Sequence, residues 1–418
     1  MLKSRSRKIS TSRFALVLLS LVGVVQIVMI FVGSQRTGIS WDETFHINDF
    51  LGPDNVEGLD SAPLGLYGHS FQLLGFLISS ISTGESLDSV SYTVDSLYAR
   101  HLASATLTII CGAAVARMVW QLRRSAFLSL WAATTLMAVP VFSGHGMFNP
   151  KDIPVAAGYT LVTAGCLSAL VRVFLPSKSI SSGVIDSLVI SFGMWIAIGT
   201  RYIFGVSILV SLFFTLFILV LAVGRSSATR KSILSVVLGS FGGLLAVWLT
   251  NPCLLGRTSD APCSFASLLG NVLAPSRQVA QGIPMFAWGY SYPQSDKPLW
   301  GLPLYIFNGT PVLIFLFVVI GFLVVAVLVT RFSGELITGR ARTTPLFWVL
   351  TIVPLVLQAA FTPVVTAITN GAVYDAQRQH LYVYPALVAI AAFGVSCAWA
   401  WASRTFHPHP ALRASLKA

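Results

Sequence analysis

Charge is scarce in this sequence. Asp, Glu, Lys and Arg make up only 10% of its 418 residues, against roughly a quarter in ordinary soluble domains. That shortage excludes an ordinary cytosolic enzyme, and it excludes a disordered chain, which stays in solution through its charge. Cysteine is rare too. Five residues are too few for a disulfide framework, and Cys111, Cys166 and Cys397 sit inside apolar runs, as core residues do. Short alternating segments of the membrane β-barrel kind are missing. So are internal repeats and low-complexity tracts. No small-residue cleavage site follows the first apolar run, so Phe14 to Val32, preceded by Lys3, Arg5, Arg7, Lys8 and Arg13, is expected to be an uncleaved first helix.

What is present is apolar: 55% of the residues are hydrophobic. Runs near 14–33, 102–120, 125–142, 154–174, 184–199, 203–224, 232–250, 310–330, 344–362 and 381–402 are each close to the roughly 20 residues a bilayer-crossing helix needs. They predict an all-α polytopic membrane protein of about ten transmembrane helices. Gly199-Thr200-Arg201-Tyr202 breaks the long run from 184 to 224 into a hairpin with a charge at its tip. The membrane domain is expected over 1–403, with 404–418 as a cytoplasmic tail.

The charges set an orientation. With the N-terminus in the cytoplasm, the outer side holds only Arg36, Arg100, Lys151, Arg201, Arg257, Arg277, Lys297 and Arg378 of the 27 Lys and Arg residues. Of the 15 acids, only Asp186 and Glu335 fall inside. This is the distribution of a multi-pass protein with both termini cytoplasmic. The net charge of +12 therefore reflects topology and calls for no nucleic-acid partner. Two outer loops are long, about 34–100 and 251–308, and are expected to carry short surface helices, Leu64 to Ile81 among them. Cys253 and Cys263 share the second loop and are placed to pair if it faces an oxidising compartment.

Five polar sets map to the outer side. Ser40-Trp41-Asp42-Glu43 follows the first helix and offers paired carboxylates for general-base work, although a solvated acidic loop accounts for the same residues. Gly144 to Pro154 packs His145, Asn149, Lys151 and Asp152 into one short turn. A surface Lys–Asp pair would explain two of these, but a linker this short needs no such set. Leu97-Tyr98-Ala99-Arg100-His101 opens the second predicted helix, and Arg201-Tyr202 caps the hairpin. Lone interfacial arginines often only snorkel, but on a side poor in cations they suit an anion. Tyr374 to Pro385 brings Arg378, His380 and Tyr382 into the last helix, as phosphate or sugar ligands or as an aromatic-belt helix end. Together these sets fit transfer of a sugar from a lipid phosphate. Its leaving group departs as an anion and needs cations, while the acceptor hydroxyl needs a carboxylate base.

At these residues the chain resembles the GT-C superfamily of integral-membrane glycosyltransferases, in the bacterial branch related to protein O-mannosyltransferases and lipid A aminoarabinose transferases. The resemblance spans nearly the whole chain. It rests on Asp42-Glu43, on the Arg-x-x-x-Ser start of the second helix (Arg100, Ser104), and on Asp152 before the fourth. The Pro- and aromatic-rich late loop and Arg378…Tyr382-x-x-Pro385 complete the set. It implies a polyprenyl-phosphate-linked sugar donor, inversion at the anomeric carbon and a cell-envelope acceptor (glycan, lipid or protein). Asp42 would be the base, with Glu43 and Asp152 shaping the site. Arg100, His101, Asn149, Lys151, Arg201, Tyr202, Arg378, His380 and Tyr382 would bind the donor. In some relatives a divalent cation (Mg or Mn) sits near the carboxylates, which makes Asp42 and Asp152 the candidate ligands; others need none. The Asn-Pro-Lys-Asp turn and the Arg-Gln-His run depart from the mannosyltransferase pattern, which leaves sugar and acceptor open. The implied location is the bacterial plasma membrane with an outward-facing site. A transporter or flippase of a lipid-linked sugar and a non-catalytic envelope scaffold are the alternatives. A transporter would concentrate charges near mid-bilayer, where this sequence has few.

Overall fold

A computed structural model describes residues 2–38, 40, 43, 68–84, 94–175, 182–222, 227–251, 284–287, 289–293, 298–337, 343–369 and 378–406. Among them the chain forms helices α1 (Leu2–Ser34), α2 (Ser70–Thr83), α3 (Val94–Arg123), α4 (Ala126–Met137), α5 (Pro140–His145), α6 (Asp152–Phe174) and α7 (Gly183–Ile198). After these come α8 (Phe204–Leu221), α9 (Ser227–Thr250), α10 (Gly301–Asn308), α11 (Val312–Ile337), α12 (Thr343–Ile368) and α13 (Val383–Phe406). A small antiparallel hairpin, β1 (Met285–Ala287) with β2 (Tyr290–Tyr292), precedes α10, with Met285 opposite Tyr292.

Eight of these helices carry apolar stretches long enough to cross a membrane, as expected of a multi-pass membrane protein. In hydrocarbon only a helix satisfies all its own backbone groups, and these sequences comply. Each of the ten predicted segments contains a helix, but two differ from expectation. The run 125–142 is broken into α4 and α5, because Pro140 at the first turn of α5 cannot donate to the preceding turn. The run 184–199 forms the 16-residue α7, shorter than a full span. Of the stretch Leu64 to Ile81, expected as a surface helix, residues 70–81 are helical within α2, with Phe71 and Phe76 buried and Ile81 exposed, and residues 64–67 lie outside the described residues. It packs along α3.

Helix α6 is the centre of the bundle. Its apolar window is entirely buried, whereas that of α1 is 6% buried and lies at the rim. Helices α3, α7, α8, α9 and α12 all touch α6. The α6–α7 contact is a backbone-to-backbone approach: a Cβ at Gly158 would stand 2.5 Å from the Gly193 carbonyl oxygen. Small residues allow such packing in a membrane, where apolar side chains gain nothing by leaving lipid. Buried polar groups are tied across helices. Gln358 of α12 donates to Thr160 Oγ1 at 3.0 Å and to the Tyr382 carbonyl at 2.8 Å, and the Tyr159 hydroxyl meets Ser211 at 2.9 Å.

The bundle has two chemically different ends. One gathers the end of α1, the start of α3, the 144–152 turn, the 199–203 tip, Asn251 and the approach to α13. Near the other, Arg117 of α3 and Arg172 of α6 both pair with the fully buried Asp186 of α7, the former at 2.8 Å. Arg117 and Arg172 belong to the helices themselves, so the cytoplasmic charge count expected from sequence includes two residues that lie within the packed bundle.

Candidate functional site

The site begins with the turn that starts α6. Asn149 Oδ1 accepts the backbone N–H groups of Lys151 and Asp152, at 3.0 and 2.7 Å, which closes the turn and opens the helix. Its Nδ2 donates to Asp152 Oδ2 at 3.1 Å. Asp152 thus sits in the first turn of a buried helix, where the helix dipole favours a negative charge. The turn is held from α3 by two hydroxyls one helical turn apart. Ser104 donates to the Asn149 carbonyl at 3.2 Å, and the single Thr108 hydroxyl hydrogen is divided between the carbonyls of Ser104 at 2.9 Å and Gly146 at 3.2 Å.

Two arginines distant in sequence converge on Asp152. Arg201 Nη1 lies 2.5 Å from Oδ1, and Arg378 Nε lies 3.7 Å from Oδ2. The Asp152 side chain is 1% exposed, against 14% for Arg201 and 19% for Arg378. Lys151, also buried, acts electrostatically on the same carboxylate. Three cations thus surround one anion, a local surplus of positive charge at the edge of a low-dielectric bundle. His380, two residues from Arg378 in the same 3-10 turn, is buried and stays neutral. Burial, then the positive charge of Arg201, pull its pKa down to about 4, with Asp152 opposing.

A second pair lies alongside. Glu43 Oε1 is 2.7 Å from His101 Nε2, and both side chains are 1% exposed. His101 Nδ1 lies 2.9 Å from the Ser34 carbonyl, which can only accept, so Nδ1 carries a hydrogen. Glu43 Oε2 accepts the Ser40 N–H at 2.6 Å, and the Glu43 N–H donates to the Ser40 carbonyl. This is the carboxylate half of a capping box. Phe148 lies edge-on to His101, with ring centroids 6.5 Å apart, and His145 lies 3.3 Å from Asn149 Nδ2. The pair and the Asp152 cluster are therefore parts of one packed region.

The other expected site residues support this region from outside. Arg100 is buried against α2, with its guanidinium carbon 5.4 Å from the centre of the Phe76 ring. Tyr202 donates to Asn251 Oδ1 at 3.0 Å, an acceptor that the His69 N–H shares at 2.7 Å. Tyr382 is buried, stacked on Tyr159 with centroids 6.0 Å apart and met edge-on by Phe204. Asp42 lies outside the described residues, as do Cys253 and Cys263 and therefore their expected pairing. Cys111 and Cys166 are buried free thiols, and Cys397 is half-buried.

Thr108, Asn251 and the Arg117–Asp186–Arg172 group were not singled out from sequence. Only an Asn directly ending an apolar run hinted at Asn251. A divalent cation does not fit the described residues. Among them no three His, Cys, Asp or Glu side chains cluster, and the Asp152 carboxylate faces guanidinium groups that would repel a dication. Compared with known families and characterised proteins, the sequence matches no family model and no curated protein.

Proposed function

We propose that the chain is a membrane glycosyltransferase. It moves a sugar from a polyprenyl-phosphate donor to an acceptor hydroxyl of the cell envelope, on the outer face of a bacterial plasma membrane, with both termini cytoplasmic. The observation that carries this reading is the convergence of Arg201, Arg378 and Lys151 on Asp152 at one end of the bundle. A departing phosphate needs fixed cations that do not have to reorganise as its charge develops. Asp152 holds the two guanidinium groups in place without cancelling them. His380, being neutral, adds hydrogen-bonding capacity without charge.

In the reaction, the acceptor oxygen attacks the anomeric carbon from the face opposite the phosphate. The bond between that carbon and the phosphate oxygen breaks, and its electron pair leaves with polyprenyl phosphate. The hydroxyl proton passes to Asp42, next in sequence to Glu43, whose carboxylate is anchored by His101. The configuration inverts.

The test is transfer in nanodiscs from a panel of polyprenyl-phosphate sugars, following release of polyprenyl phosphate. Wild type should release it from one donor, with loss in Asp42→Asn and in Arg378→Gln. Release that is equal in all three would defeat this assignment of roles, and no release from any donor would defeat the enzyme reading. One observation favours a transporter of the same lipid instead: near the far end of the bundle Asp186 is a fully buried charge held by two arginines, and buried ionisable groups on spanning helices mark transport paths. Movement of intact donor across proteoliposomes without release would establish that alternative.

A further inference from the structure

Helices α11 and α13 touch most closely where Gly321 meets Gly394; a Cβ on Gly321 would stand 2.7 Å from the Ile390 carbonyl oxygen. Away from this contact, toward the Asp186 end, a groove of about 520 Å³ opens between them. Its walls include Ile320, Leu323, Val327 and Leu328 on α11, with Cys397 and Trp401 on α13, and its far limit is Arg331. From Ile320 to Arg331 an α-helix rises about 16 Å, close to the hydrocarbon depth of one leaflet, about 15 Å. The walls are apolar for that length, and the charge appears only where headgroups begin.

A second guanidinium touches the α13 wall of the groove at Cys397. Arg123, at the end of α3, lies 3.5 Å from the Sγ of Cys397 and 3.4 Å from the Ser396 carbonyl, both neutral. Arg331 and Trp401 are both exposed, with Trp401 61% exposed and at the depth where indoles prefer the headgroup boundary. A zwitterionic lipid brings its own ammonium beside its phosphate, whereas an anionic head carries the net negative charge that offsets the two guanidinium groups, against which no acidic side chain lies among the described residues. A basic pocket between spans at this depth selects an anionic head.

We propose that the groove between α11 and α13 binds an anionic glycerophospholipid, with an acyl chain along Leu323, Val327 and Trp401 and its phosphate on Arg331 and Arg123. The proposal is independent of the chemistry at the Asp152 end.

Trp401 reports on occupancy. The protein is reconstituted in phosphatidylcholine nanodiscs carrying a graded mole fraction of dibrominated phosphatidylglycerol or dibrominated phosphatidylcholine. Quenching of the Trp401 signal is taken as the difference between wild type and Trp401→Phe. Brominated phosphatidylglycerol should reach half-quenching at a lower mole fraction than brominated phosphatidylcholine. Arg331→Gln should raise that mole fraction about fivefold, Arg123→Gln should act in the same direction, and the double variant should abolish the preference. Arg331→Lys, which keeps the charge, should retain it. Equal quenching by the two lipids in wild type would overturn the proposal, as would a preference unchanged in the double variant. Absence of Trp401 quenching by either lipid would mean that protein fills the groove. Relief of quenching by polyprenyl phosphate, but not by unbrominated phosphatidylglycerol, would assign the groove to a different lipid.

Discussion

Glu43 and His101 meet at 2.7 Å between the segment after α1 and the start of α3, and both are closed off from solvent. Removing either partner of such a buried pair leaves the other uncompensated, at a cost of about 3–5 kcal/mol. Glu43→Ala and His101→Ala are therefore each expected to lower thermal stability strongly. The double variant should lose less than the sum, because the stranded partner is gone. A double-mutant cycle on melting temperature measures the coupling, and additive losses would mean the contact contributes nothing.

Asp152→Asn keeps the shape of the turn and the Asn149 contacts but removes the charge that draws Arg201 and Arg378 together. Donor turnover should fall by about 100-fold or more, the scale of losing one preorganised charge partner. Arg201→Lys should recover little, since an ammonium cannot reproduce the guanidinium fork. Steady-state kinetics with the identified donor decides; Asp152→Asn turnover within a factor of a few of wild type would place Asp152 outside the machinery.

His380 gives the fold a pH dependence. Its native pKa, about 4, lies below the ordinary value of 6.5. Between these values the unfolded chain binds the proton and the folded one does not, so stability falls as the pH drops from 6.5 toward 4. The full effect is about 3 kcal/mol from this group, is absent above 6.5 and levels off below 4. Melting temperatures across that window, in wild type and His380→Gln, should show the variant with the shallower slope. Parallel slopes would remove His380 as the cause.

At the other end, Asp186→Asn leaves Arg117 and Arg172 facing each other in a buried setting. Folded yield in detergent should drop sharply, and adding Arg172→Met should restore part of it by removing one of the opposed charges. A double variant no better than Asp186→Asn alone would show that repulsion is not the reason.

Much of this was legible in the chain because hydropathy locates helices whatever their neighbours. The same averaging hides Pro140, one residue within an apolar run, which splits α4 from α5. The grouping of Asp152, Arg201 and Arg378 followed from assigning all three to one side, but their shared carboxylate is a tertiary fact. So are the grip of Ser104 and Thr108 on the turn and the pairing of Gly158 with Gly193, since a helix sequence does not name the helix it will meet. The pairing of Arg117 and Arg172 was hidden for a related reason: a basic residue near a helix end does not name its buried partner, here Asp186.

The 199–203 tip is fastened to the start of α2 by main-chain bonds from the Gly68 N–H to the Thr200 carbonyl and from the Ser70 N–H to that of Gly199, each 3.0 Å. Arg201 is carried on that fastening, so the first long loop and the charge cluster are mechanically geared. The contacts run without a break from residues 68–70 through the 199–203 tip to Arg201, Asp152 and Arg378. Under the proposed function, an acceptor held by that loop would be linked to the cation cluster without touching it.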